Sequence, residues 1–167
     1  MKVQESLEQH LIEILENQIE CNSQLFELMR RERESIVHND FEKLESANLE
    51  KMTVKSAIEQ LENERQSLMP RFIQMYQMQQ KVPRLDDIIN VVKEPFKSIY
   101  KEKQAELKKL LHHMQIAQAA NKKLIQKSLS FHERSFNLLY RLTNQNLGYG
   151  AQGEIKHAQT RLIDSVG

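Results

Sequence analysis

The chain has no tryptophan, one cysteine, three prolines and four glycines, and only 6% of its 167 residues are aromatic. Each shortage excludes something. A single cysteine, Cys21, forbids an intramolecular disulfide, which removes the usual support of small secreted domains and makes the reducing cytoplasm the expected compartment. No apolar run approaches the roughly 20 residues that span a bilayer. The opening Met1-Lys2-Val3-Gln4-Glu5 leads into charged sequence rather than a signal-peptide core, so direct membrane insertion is not expected. Charge of one sign is missing as well. Lysine plus arginine number 24 against 23 aspartate plus glutamate, a net +1 that gives no large field to attract nucleic acid or anionic lipid.

What is present favours helix. The composition is 40% apolar and 28% charged, rich in Leu, Glu, Lys and Gln, and the length suits one domain with a real core. Leu7, Leu11, Ile14, Gln18, Cys21, Leu25 and Leu28 recur at alternating spacings of four and three, predicting a first helix over about 3–37. Asn39 is the expected cap of the next helix, with Glu42 completing a capping box. A second seam, Leu44, Ala47, Lys51, Val54, Ile58, Leu61, Arg65, Leu68, Phe72 and Met75, predicts a helix over about 40–79. Lys51 and Arg65 put charge into it; they either snorkel or pair with a carboxylate such as Glu32. Pro70 should kink or stop this helix near Met69.

Leu85, Ile88, Ile89 and Val92 suggest a short helical connector over about 84–93, and Pro95 suits the first turn of a last helix over about 95–146. Its seam reads Phe96, Tyr100, Lys103, Leu107, Leu110, Met114, Ala117, Asn121, Leu124, Ser128, Phe131, Ser135, Leu138 and Leu142. The fold expected is an all-α, elongated, antiparallel three-helix coiled-coil bundle over 1–146. Residues 147–167, which hold Gly148, Gly150, Gly153 and Gly167, are expected to be a flexible tail.

No catalytic constellation emerges. Glu154 and His157 form the only Glu-x-x-His pair, without the second copy that a di-metal bundle needs, and adjacent His112 and His113 diverge by about 100° on a helix. Cys21 has no histidine one turn away to activate it, so a small buried hydrophobe is the plainer reading. Neither enzyme activity nor a cofactor or metal is expected. The binding signals lie late in the chain. Asn121, Ser128 and Ser135 either set register or supply directional bonds to a partner helix. Leu129, Phe136, Leu139 and Tyr140 add apolar surface beyond the seam, which fits either a second bundle seam or an exposed groove. Tyr149, between Gly148 and Gly150, is either a tail aromatic folded back or an anchor for a partner's pocket. Ile155, Ala158, Leu162 and Val166 are near helical spacing.

Asn121, Leu124, Ile125, Ser128, Leu129, Phe131, Leu138 and Leu139, then Tyr149 and Gly150 with Gly153, and finally Leu162, Ile163 and Asp164 resemble the FlgN family of flagellar type III export chaperones. Asp40, Leu44, Lys51, Leu61, Glu64, Arg65 and Leu68 extend the likeness to the second helix. The resemblance implies a cytoplasmic chaperone that binds hook-filament junction (hook-associated) proteins, blocks their premature assembly and delivers them to the cytoplasmic domain of the export gate. It implies a gate-docking role for Tyr149 in its glycine-flanked motif with Gly150 and Gly153, and substrate recognition by the C-terminal region. Together with the apolar excess, this marks Asn121, Leu124, Ile125, Ser128, Phe131, Phe136, Leu138, Leu139, Leu142, Leu162 and Ile163 as candidate substrate contacts. A homodimer is compatible with such a surface. A structural coiled-coil tether without chaperone activity is the alternative.

Overall fold

A computed structural model describes residues 2–146, with side chains for 6–143. All regular structure among these residues is helical: α1 (Lys2–His38), α2 (Phe41–Tyr76), α3 (Leu85–Val91) and α4 (Phe96–Asn146). They divide into two compact units, one ending at Ile125 and the other starting at Gln126.

In the first unit α1 is the central helix. Its buried residues come in steps along two adjoining stripes, Leu7 with Glu8, Leu11 with Ile12, Ile14 with Leu15, Leu28 with Met29 and Ser35 with Ile36, because it packs against α2 on one side and α4 on the other. Contacts with α2 step in opposite directions along the two helices: Glu8 meets Tyr76, His10 meets Glu64, Arg31 meets Glu50 and Glu32 meets Lys51. Contacts with α4 step in the same direction. Glu8 meets Tyr100, Glu16 meets Lys103, Phe26 lies by His113, and Met29 and Glu32 meet Asn121.

Two apolar clusters fill the unit. One joins Leu7, Leu11, Ile14 and Leu15 to Leu68 and Phe72 of α2, Ile88, Ile89 and Val92 at the connector, and Tyr100 of α4. The connector, expected as a short helix over about 84–93, forms α3 and acts as a plug: Pro83 and Ile88 are fully buried. The second cluster sets Leu25 and Met29 against Met114, with Phe26, Val54, Ile58, Leu110 and Ala117 around them.

Each end of the unit also carries a polar clamp joining three helices. At one end the Tyr76 hydroxyl donates to the buried Glu8 carboxylate, and the Tyr100 hydroxyl donates to the Glu8 carbonyl at 2.9 Å. Burial pushes the Tyr100 phenol well up, with Glu8 and Tyr76 adding to the effect, so it stays protonated as a donor. At the other end Lys51 Nζ donates to Glu32 Oε1 at 2.8 Å, while Asn121 Nδ2 donates to Glu32 Oε2 at 2.9 Å and to the Met29 carbonyl at 2.8 Å. Lys51 therefore pairs with Glu32 rather than snorkelling. No buried side-chain nitrogen or oxygen among the described residues lacks a partner.

One local expectation is corrected, and of two alternatives at Pro70, a kink or a stop, the stop is removed. The cap of α2 is Asp40, whose carboxylate accepts the Lys43 amide at 3.1 Å. Asn39 instead takes positive φ, 52°, closing the turn after α1, a conformation that asparagine tolerates well. Nor does Pro70 end α2, which continues to Tyr76. Pro70 lies on the exposed side, where water can satisfy the carbonyl it frees, while buried Leu68, Met69 and Phe72 hold the helix on both sides of it. The helix stops instead at Gln77, a left-handed cap whose N–H returns to the Ile73 carbonyl.

Asn121→Ala leaves one Glu32 oxygen and the Met29 carbonyl without their donor, and should lower the unfolding free energy in urea by about 1–3 kcal/mol; no loss would show that the clamp is energetically idle. A second test uses pH. The Arg65 guanidinium, with further bonds from Gln66 and Gln18, holds the Glu62 carboxyl at about 2 instead of its ordinary 4.5. A carboxylate with a depressed folded-state value adds stability in full above pH 4.5, and that contribution disappears as the pH falls to about 2. Glu62→Gln should flatten the pH dependence of thermal stability across that window, and an unchanged slope would remove the assignment.

Candidate functional site

The α4 seam changes character along its length. Tyr100, Met114 and Asn121 are buried, Leu107, Leu110, Ala117, Leu124 and Ser128 half-buried, and from Phe131 onward every seam residue except half-buried Ser135 is exposed. Phe131 is 67% exposed, Phe136 70%, Leu138 59%, Leu139 63% and Leu142 50%, with Ile125, Leu129 and Tyr140 also exposed. Chain length accounts for the change. The α1–α4 hydrogen bonds link residues 89 to 92 apart, and α1 ends at His38, so this register offers no α1 residue to α4 positions beyond about 130.

Half of the sixteen large exposed apolar side chains of the described residues fall between Ile125 and Leu142. At 100° per residue, Ser128, Phe131, Ser135, Leu138 and Leu142 share one stripe, and Leu129, Phe136, Leu139 and Tyr140 lie beside it, an apolar arc of roughly 200°. Single exposed leucines are ordinary, but a contiguous patch of this width marks a surface that meets something. The expectation of added apolar surface resolves as an exposed face rather than a second packed seam.

The candidate substrate residues therefore separate. Phe131, Phe136, Leu138, Leu139 and Leu142 lie together on the open face with half-buried Ser128; Leu124 and Ile125 precede them on the same helix. Asn121 is apart from them. It is 4% exposed and both its N–H donors are used on α1, which is the register role. Leu162 and Ile163, Tyr149, Gly150 and Gly153, and the Glu154 and His157 pair lie outside the described residues.

Apolar periodicity overlooked the charge beside this face. Lys127, Arg134 and Arg141 recur every seventh residue along one edge of the stripe, all exposed and none in an ion pair among the described residues. By contrast Lys51, Arg65 and Lys103, the cations within the packed parts of the seams, each meet a carboxylate. A seven-residue charge repeat next to an apolar one is the sequence signal that would have found them.

Elsewhere the chemistry is sparse. Among the described residues no group of three His, Cys, Asp or Glu side chains is placed to hold a metal, and no helix is long and apolar enough to cross a membrane. Cys21 is a half-buried free thiol on α1. The turn between α1 and α2 forms an open cleft lined by Arg31, Glu34, Ser35, His38, Asp40 and Lys43, but Arg31 is committed to Glu50 at 2.7 Å and Asp40 to Lys43 at 2.6 Å.

A packed helical unit and a long helix with an open apolar face are the features of a helical protein that binds other proteins. The chain belongs to the FlgN family, a family of flagellar export chaperones rather than enzymes: the family model described as FlgN protein matches residues 1–157. No curated protein and no solved structure matches the chain.

If the face is open and not core, Leu138→Ser with Leu139→Ser should shift the unfolding free energy by no more than about 1 kcal/mol, whereas Leu11→Ala in the packed cluster should cost about 2–5 kcal/mol. Comparable losses from the two variants in urea denaturation would mean that Leu138 and Leu139 are structural.

Proposed function

We propose that this chain is a cytoplasmic chaperone of the flagellar type III export system that binds hook-filament junction (hook-associated) proteins. It keeps their assembly-prone terminal segments from associating early and delivers them to the cytoplasmic domain of the export gate. Family membership supports the chaperone role in general. The observation that carries the finer reading is the open apolar face of α4, with Phe131, Leu138, Leu139 and Leu142 as anchors for an amphipathic segment lying along the helix. The first unit is read as an up-down-up antiparallel coiled-coil bundle. Residues 147–167 close over the bound segment, with Leu162 and Ile163 contributing to it, and Tyr149 between Gly148 and Gly150 docks to the gate.

Titration calorimetry against the C-terminal segments of the junction proteins of the same organism, with and without residues 147–167, tests this. Saturable one-to-one binding with a negative heat-capacity change is expected, because burial of apolar surface leaves that signature. The cytoplasmic domain of the gate should bind the full chain and lose affinity when 147–167 are removed. Absence of binding by either form of the chain would favour a structural tether.

A further inference from the structure

The open face of α4 is lopsided in charge, and the imbalance specifies what covers it. Lys127, Arg134 and Arg141 each stand one residue before a stripe position, Ser128, Ser135 and Leu142, so all three line the same edge. The opposite edge is formed by Leu129, His132, Phe136 and Leu139 and holds no cation. Glu133, the only carboxylate between residues 122 and 142, lies on the outer side of the helix, away from the stripe. The stripe itself varies in size, the small Ser128 and Ser135 alternating with the large Phe131 and Leu138.

We infer that this face binds an amphipathic helix carrying acidic residues at seven-residue intervals along one edge of its apolar stripe and apolar residues along the other. This deepens the chaperone reading and rests on it, naming the chemistry of the captured segment. Charges that flank the seam of two packed helices face one another and decide which partners pair. Here one flank asks for carboxylates and the other for aliphatic or aromatic contact, while the two serines leave room for large side chains from the partner.

A second copy of the chain does not meet this demand. Paired antiparallel, two such helices set Lys127 and Arg134 against Arg141 and Arg134; paired parallel, they set the cations against His132 and Leu139, so neither orientation supplies a counter-charge. A lipid surface fits less well too. An interfacial helix keeps cations along its polar face to reach headgroups, whereas the outer border here is formed by Gln126, Leu129, Glu133 and Tyr140.

The test uses the full chain and two synthetic 21-residue heptad peptides with the same leucine seam, one flanked by glutamate and one by lysine. Fluorescence anisotropy should show at least about tenfold tighter binding of the glutamate peptide, weakening with salt. The combined variant Lys127→Glu, Arg134→Glu, Arg141→Glu should abolish or reverse the preference with unchanged helicity. Equal affinity for both peptides, or a preference indifferent to the three substitutions, overturns the inference. So does binding to phosphatidylglycerol vesicles with neither peptide bound, or a concentration-dependent dimer that Phe131→Ser dissolves. The two readings fail separately. Junction segments that bind regardless of the three substitutions sink only this inference, whereas a glutamate preference without junction binding sinks only the substrate assignment.

Discussion

The Glu32 carboxylate sets the geometry of the first unit. It lies at the end of α1, largely shielded from water, and each oxygen has one donor: Lys51 from α2 and Asn121 from α4. A carboxylate in that position is tolerable only if both partners are in register, because an unpaired buried charge costs several kcal/mol. Leucines at the three positions could pack as well or better, but they would accept a slip of one turn along either helix. The clamp refuses it. The Glu8 node repeats the device at the opposite end with two tyrosines, so apolar packing between the ends supplies cohesion while the polar ends supply alignment. That alignment decides which part of α4 α1 can cover.

Much of this was legible in the sequence where a period could speak. Every member of the α2 seam from Leu44 to Met75 is buried or half-buried, and its two charged members pair with carboxylates, Lys51 with Glu32 and Arg65 with Glu62. Local punctuation was less legible. Asn39 and Asp40 are neighbours with equivalent capping chemistry, and only the left-handed turn after α1 separates their roles. Pro70 reads as a breaker until the buried residues on both sides of it are known. The connector was legible: Leu85, Ile88, Ile89 and Val92, spaced for one helical face, are the residues that fill the core end.

The site was half legible for a different reason. Composition reveals that the end of α4 is too apolar for a solvated helix, yet it cannot say whether another helix of the same chain covers the excess. That depends on how far α1 reaches, a matter of register and therefore of Asn121. The same residue shows how a polar seam position divides in meaning: its amide is spent inside the fold, whereas Ser128 and Ser135 have no such role there.

Because α4 is one unbroken helix, its exposed stretch inherits a nucleus. Starting a helix is the unfavourable step and extending one is nearly neutral. Tyr100, Met114 and Asn121 fix the early turns by packing, so the later turns face only the propagation equilibrium, which favours helix least toward the free end. A surface prepared in this way is already shaped when a partner arrives, and much of the ordering entropy of docking falls on the partner's own segment. If the proposed segment binds there, it tightens the last turns of α4 from the anchored side outward, and the residues nearest Leu142 gain the most helical order from being covered.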